Sequence, residues 1–225
     1  MSKFNGFGPE VFKWFKGLEA DNSKEYFGAS RDFFEESIRE EMEALLTELS
    51  GRFGGDVKMF RQNRDIRFSA DKSPYKTNTY GVIYGGQAAH GLYASISSGG
   101  LVAGSGYHRM ARDQLDRYRE AVADDKSGPE FEKLAAKAQK AGLEVWGETL
   151  LTAPRGYAKD HPRIELLRRK SLALGTTLKP GRGISREDGI KFVTKTWKAS
   201  GPVTAWLDEH VGPSALPIDR GRRGR

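Results

Sequence analysis

The chain contains no cysteine, which excludes disulfides, thiolate metal sites and a cysteine nucleophile. It has no apolar run near the roughly 18 residues a transmembrane helix needs. Its first residues, MSKFNGFGPE, lack the continuous apolar core of a secretion signal. A cytosolic protein without membrane association is the expectation. Short signatures of well-known chemistries are missing too: no G-x-x-x-x-G-K-[ST] phosphate loop, no H-E-x-x-H zinc helix, no G-x-S-x-G nucleophile elbow. GRGIS at 181–185 lacks the third glycine of a dinucleotide fingerprint and reads as a loop before a helix capped by Ser185 and Asp188. These missing patterns leave any cofactor and any catalytic residue unassigned, and no metal site is expected.

What is present is a chain of 225 residues with 37% hydrophobic and 11% aromatic content, enough to bury a substantial core. The end of the chain, GPSALPIDRGRRGR, holds four arginines and one aspartate, so it carries +3 of the formal +7 and leaves the body at +4. Residues 1–211 are expected to form a single globular domain, and 212–225 a disordered basic tail able to touch acidic partners.

Pro9 at a helix start precedes an apolar face of Val11, Phe12, Phe15 and Leu18. NSKE offers a capping box from Asn22 to Glu25. One amphipathic helix then follows, ending at Gly51, with Phe27, Phe34, Ile38, Met42, Leu45 and Leu49 on its buried stripe. The period changes to two in TYGVIYGG and GLYASISSGGLVAGSGYH, with Gly99-Gly100 as a hairpin turn. One face of that hairpin carries Leu92, Ala94, Ile96, Leu101 and Ala103. The other is mostly small residues, which let a helix or a ligand approach closely. Helical faces follow at 115–122 and from Pro129, a short helix near Ile164, a strand at 172–178, and two helical runs around Trp197 and Trp206. Hairpins followed by helices, without regular strand–helix alternation, indicate an α+β fold with a mainly antiparallel sheet. A doubly wound parallel sheet is the alternative.

Two stretches concentrate charge. RQNRDIRFSADKSPYKT, residues 61–77, packs Arg61, Arg64, Arg67, Lys72 and Lys76 beside Asp65 and Asp71, with Phe68, Pro74 and Tyr75 between them. Asp65 and Arg67, two apart in an extended segment, share a side and can brace one another. SADKSP is a run of turn formers, so the segment is expected to be strand, turn, strand. The second stretch, 153–170, holds Arg155, Tyr157, Lys159, His161 and Arg163, with Asp160 as a candidate N-cap. Cations near a helix start favour anions. If the two stretches meet, they form one anion pocket.

The string R-x-x-R-D-x-R-F-S-x-D-K-x-P-Y-K-T resembles the defining motif of a widespread, mainly bacterial family called domain of unknown function 2461. LEADNSKEYF and PRGYAKDHPRIELLRRK are similar to that family as well. The resemblance covers nearly the whole chain and implies no particular activity, substrate or cofactor.

Three readings compete. In the first, arginine forks bind an anionic, phosphate-bearing small ligand. Arg64 and Arg67 make the contacts, Asp65 and Asp71 hold them, and Tyr75 and Tyr157 stack on a base or sugar. In the second, the charges form a self-satisfied ion network that fixes a loop, within a protein-interaction module. In the third, the basic loops bind nucleic acid, against which stand a body of only +4 and two carboxylates in the motif. An enzyme needs a base or nucleophile besides; Asp65, Asp71, His108 and His161 are the candidates, but an Asp beside Arg favours a fixed charge over a proton shuttle.

Overall fold

A computed structural model describes residues 3–85 and 88–216. The chain opens with a two-residue strand, β1 (Gly6–Phe7), and helix α1 (Pro9–Ala20). Helices α2 (Lys24–Ala29), α3 (Arg31–Phe34) and α4 (Glu40–Phe53) follow, the last two joined by one π-turn at Glu35–Arg39. The single helix expected here is therefore broken at Ser30 and loosened once. The capping box is also corrected: Ser23, not Asn22, caps α2 by accepting from Tyr26 N–H at 3.1 Å, and Asn22 has another task.

Six strands form one antiparallel sheet in the order β2-β3-β4-β5-β7-β6. They are β2 (Asp56–Met59), β3 (Asn78–Gly85), β4 (Ala88–Ser97), β5 (Gly100–Tyr107), β6 (Glu144–Trp146) and β7 (Leu172–Leu178). The expected hairpin is present, but its turn falls one residue earlier, on Ser98-Gly99. Gly100 already pairs with Ser97 at φ +123°, where a Cβ would meet Leu178 O at 2.1 Å. The sheet with its helices makes an α+β fold.

Between β5 and β7 come α5 (Arg112–Ala123), α6 (Ser127–Lys140) and the one-turn α7 (Ile164–Leu167). A short β8 (Ile184–Ser185) pairs with β1, and α8 (Arg186–His210) closes the fold. Two helical runs were expected where α8 is one helix passing through Pro202. Proline removes one N–H from the ladder, and both of its sides are buried against the sheet and neighbouring helices, so packing carries the helix across the gap.

α4 and α8 lie on one face of the sheet. Registered pairs Thr79–Ile96, Gly81–Ala94 and Ala94–Ala103 fix that inner face; Leu46 of α4 sits against Gly81, and Ser200 of α8 bonds Ser105 at 2.6 Å. One apolar cluster gathers α1–α4, β3–β5 and the first half of α8 around Phe15, Leu45, Ile96 and Trp197. A second gathers α5–α7, β7 and the second half of α8 around Tyr118, Phe131, Leu174 and Trp206. The other face of the sheet points outward, with Lys58, Tyr84, Glu144 and Thr177 exposed and Tyr80, Tyr93, Val102 and Trp146 partly so.

Candidate functional site

The stretch 61–77 is a hairpin standing on the β2–β3 edge. Phe60 N–H still reaches Tyr80 O, and then Arg64 N–H donates to Pro74 O at 2.8 Å and Lys76 N–H to Gln62 O at 2.9 Å. The expected turn is present, but its two arms are not strands: one isolated bridge, Asn63–Tyr75, and these bonds hold them together. Its base is anchored from three sides. Gln62 is buried, donating to Lys76 O and accepting from Thr79 Oγ1. Asn22 grips Tyr75 like a neighbouring strand, its Nδ2 donating to Tyr75 O and its Oδ1 accepting from Tyr75 N–H, both at 3.1 Å. The Tyr75 ring stacks on Phe27 at 4.1 Å, so its face is committed to packing.

Beyond the base, most charges are matched in pairs. Arg67 forks Asp65, Nε to Oδ1 at 2.9 Å and Nη2 to Oδ2 at 2.6 Å. Arg64 is held by Asp71 and also reaches Ser73 O. Asp71 accepts from the Ser73 hydroxyl and N–H at 2.6 and 2.8 Å, and Lys72 donates to Ile66 O at 3.0 Å. Hydrogen bonds from Arg67 hold the Asp65 carboxyl down to about 2. Those from Ser73 and then Arg64 do the same for Asp71, also to about 2. Both are fixed counter-charges, unsuited to carrying a proton at neutral pH. Phe68 at the tip is 98% exposed, with Arg67 at 5.9 Å from its ring centre.

A different arrangement appears at the foot of the hairpin, on the outward face. Phe60 and Tyr80 stack at 4.7 Å, with Tyr93 next in line at 5.6 Å from Tyr80. Lys58 lies over Phe60 at 5.3 Å and Lys76 over Tyr80 at 5.4 Å. The Lys76 ammonium donates to Arg61 O and Asn63 O. Burial, and then the neighbouring Arg61 charge, push its pKa down. Among the described residues no carboxylate comes within ion-pair distance of Lys58, Arg61 or Lys76. Asn78 completes the corner, donating to Ser95 Oγ at 2.8 Å.

The second charged stretch stands elsewhere. The hairpin rises where β3 begins, at the Gly100 end of β5; residues 147–171 lie where β7 begins, at the Tyr107 end. Across the sheet β3 and β7 are three strand spacings apart, about 14 Å, and the two ends of β5 are about 24 Å apart. The expectation of one pocket built from both stretches is therefore corrected: they occupy diagonally opposite corners. Arg163 is 8% exposed and caps the end of α5, donating to Val122 O at 2.6 Å, Ala123 O at 2.8 Å and Asp124 O at 3.2 Å. Its own backbone N–H donates to His161 Nδ1 at 3.0 Å. Arg163 also takes the N-cap position expected for Asp160, because the helix starts three residues later than that cap requires. Tyr157 packs on the second apolar cluster. Arg155 and Lys159 are exposed, as is His108 just past β5.

Three features were not anticipated. Asp208 of α8 accepts from Ala89 N–H, Tyr107 OH and His90 Nδ1 at 3.1, 2.9 and 2.7 Å, pinning the end of α8 to β4 and β5. A groove of about 560 Å³ runs between α4 and α8, lined by Arg52, Arg186, Lys191, Lys195 and Lys198; Glu48 pairs with Arg186 at 2.6 Å and Arg52 at 3.6 Å. The third is Trp146, whose six-membered ring rests on Gly104 and Gly175 of the outward face. Neighbouring glycines in β5 and β7 were the signal for this last contact; the side chain that uses them lies on a three-residue strand with no pattern of its own. Among the described residues no group of three or more His, Asp or Glu is placed to hold a metal ion, and no helix is long and apolar enough to cross a membrane.

Comparison with protein families finds a match over residues 10–206 to the family described as "Conserved hypothetical protein (DUF2461)". A search of curated proteins finds no match. The chain belongs to the DUF2461 family.

Proposed function

We propose that this DUF2461 protein binds a phosphate-bearing ligand with a planar ring, a nucleotide or its equivalent, at the corner formed by Lys58, Arg61, Lys76, Tyr80 and Tyr93. One observation carries the reading: the Lys76 ammonium rests on Arg61 O and feels the Arg61 charge, and no carboxylate of the described residues is within ion-pair distance of either cation, Asp65, which also feels Arg61, being committed to Arg67. Two like charges kept together cost free energy that a bound anion offsets. Arg64 and Arg67, by contrast, already have Asp71 and Asp65. The charge that meets the ligand then comes from the foot of the hairpin, and the paired arginines make the hairpin stiff. The tyrosine hydroxyls and Asn78 supply hydrogen bonds to a sugar or base.

Thermal unfolding against inorganic phosphate, mononucleotides and sugar phosphates tests this. A ligand at 100 times its dissociation constant adds about 2.7 kcal/mol. Arg61→Gln, an exposed change, removes that shift; Arg67→Ala keeps most of it. Loss of the shift in Arg67→Ala with Arg61→Gln unaffected would move the site to the tip.

A second reading rests on Phe68. An aromatic ring 98% exposed on a stiff, charged hairpin has the form of an anchor for a partner surface. In that case Phe68→Ser abolishes the partner's binding and leaves the nucleotide panel unchanged.

A further inference from the structure

The outward face of the sheet continues well past the corner. From registered pairs, one row of outward residues runs Phe60, Tyr80, Ser95, Val102, Thr177 and the next Lys58, Val82, Tyr93, Gly104, Gly175, Glu144. Aromatic rings therefore stand just past the end of β2, at Phe60, and on β3 and β4. Trp146, from β6, reaches back over Gly175 and Gly104, so the tip of its ring lies across β7 onto β5; a Cβ on either glycine would come within 2.1–2.7 Å of that ring. With one side on bare backbone, the indole turns its other side outward and stays partly exposed. The floor between Tyr93 and Trp146 is made of small or short residues: Ser95, Val102, Gly104, Gly175 and Thr177.

Charge along this belt is uneven. The cations Lys58, Arg61 and Lys76 stand at the β2–β3 end. In these two rows the one carboxylate is Glu144 at the β6 rim, which accepts from Trp146 Nε1 at 3.3 Å; Asp56 lies one row beyond, on β2 opposite Tyr84. The middle strands carry none. The two aspartates of the hairpin do not oppose an anion here, since each is neutralised by its own arginine.

We infer that the belt is a binding face for single-stranded nucleic acid, entering with its phosphates at Lys58, Arg61 and Lys76 and laying unpaired bases across Tyr93 toward Trp146. This rests on the phosphate corner proposed above and assigns its ligand to a polymer. The stacked Phe60–Tyr80 pair offers edges only, so one nucleotide at the corner leaves the β4–β6 half of the belt unused; several linked nucleotides cover it. Flat aromatic platforms accept unstacked bases of any sequence, whereas a duplex hides its base faces. Thr177 and Asn78 supply hydrogen-bonding edges along the path, while Ser95 is buried beneath and accepts from Asn78.

The test is fluorescence anisotropy with labelled pyrimidine strands of two to ten nucleotides, a matched duplex, and a labelled mononucleotide. Thr177→Glu is the informative variant. Thr177 is exposed, so the fold tolerates the change, and it lies three strand spacings from β3, about 14 Å from the corner. Expected are at least tenfold tighter binding of six nucleotides than of one, weak duplex binding, and loss of the length gain in Thr177→Glu with mononucleotide binding kept. Three phosphate contacts on a single strand give a log–log salt slope of about −2. Mononucleotide binding with no gain from length overturns the inference and leaves the corner standing. Tight strand binding without mononucleotide binding supports the inference and overturns the corner as an independent site. Equal affinity for duplex and single strand, or no effect of Thr177→Glu on strand binding, sinks the belt.

Discussion

The two charged stretches look alike as strings of residues, yet the fold uses their arginines in opposite ways. In residues 61–77 the arginines meet carboxylates supplied a few positions away, and the result is a stiff hairpin in solvent. In residues 153–170 Arg163 and Arg168 chiefly meet backbone carbonyls of other segments, with one carboxylate beside each, and the result is mortar: Arg163 closes the end of α5 with Asp125 at 3.5 Å, and Arg168 binds Leu150 O and Leu151 O as well as Glu165 at 2.9 Å. A guanidinium whose partner is a local carboxylate stays at the surface. One whose partners are orphan carbonyls at a helix end is drawn inside with them. Cation density alone therefore does not mark a ligand site; the proposed corner rests on cations that have neither kind of partner among the described residues, Lys58 and Arg61, and on their position with Lys76 against the aromatic rings, since Arg155 and Lys159 also have neither partner there.

The largest effect that would break this comparison is at Arg163. Its guanidinium is almost fully buried and satisfies three carbonyls. Arg163→Met takes the donor from the buried Val122 O and from the partly buried Ala123 O, while Asp124 O keeps the Gly128 N–H, a loss of about 2–4 kcal/mol. For a chain of this size that lowers the unfolding midpoint by roughly 5–15 °C. A shift under 2 °C by calorimetry would mean that the second stretch is as dispensable to the fold as the first.

A smaller effect is expected at Asn22, which ties the hairpin to the body. Asn22→Ala frees the Tyr75 N–H and C=O together, a loss of about 1–2 kcal/mol. Because Tyr75 stacks on Phe27, the main consequence is local: the hairpin base loosens while the rest of the molecule holds. Hydrogen exchange of the amides of Arg64 and Lys76, which close the base, should speed up far more than that of β4 or β5.

Much of this architecture was legible beforehand. Period-two segments with small turn residues announced β3–β5, and the apolar stripes of α1 and α4 announced the first core. Asp65 and Arg67, two apart in an extended run, read directly as a pair. The rest depends on distance along the chain. Asn22 grips a residue 53 positions away, Arg163 reaches back 41 positions to Val122, and Asp208 meets His90 across 118. Nothing local distinguishes an Asn that caps a helix from one that clamps a strand, or an arginine awaiting a ligand from one that seals a helix. The π-turn and the continuity of α8 through Pro202 likewise follow from tertiary packing overriding local preference.

The smallest effect, and the sharpest for the comparison, is acid sensitivity of the hairpin. Asp65 and Asp71 both ionise at about 2 in the fold, against a usual 3.8. A depressed carboxyl stabilises the folded form at every pH above its ordinary value. That contribution fades as pH falls from about 4 and is gone once the folded value near 2 is passed. Both pairs are at the surface, so the global unfolding midpoint changes little. What changes is the tip: between pH 4 and 2, Arg67 and Arg64 lose their counter-charges and the loop 65–73 loosens. NMR of the Phe68 ring, or limited cleavage with an acid protease, should report a transition in that window. In Asp65→Asn with Asp71→Asn the hairpin should be loose already at neutral pH and show no such step. The control is the β4–β5 pair, joined by backbone bonds over residues 91–106 with no carboxylate among them, whose exchange rates should stay flat over the same range. The Arg163 region is no such control, since Asp124 beside it is also held down to about 2 and Asp125 stands 3.5 Å from the guanidinium. A step between pH 4 and 2 that persists in Asp65→Asn with Asp71→Asn would mean that these two carboxylates are not what holds Arg64 and Arg67 in place.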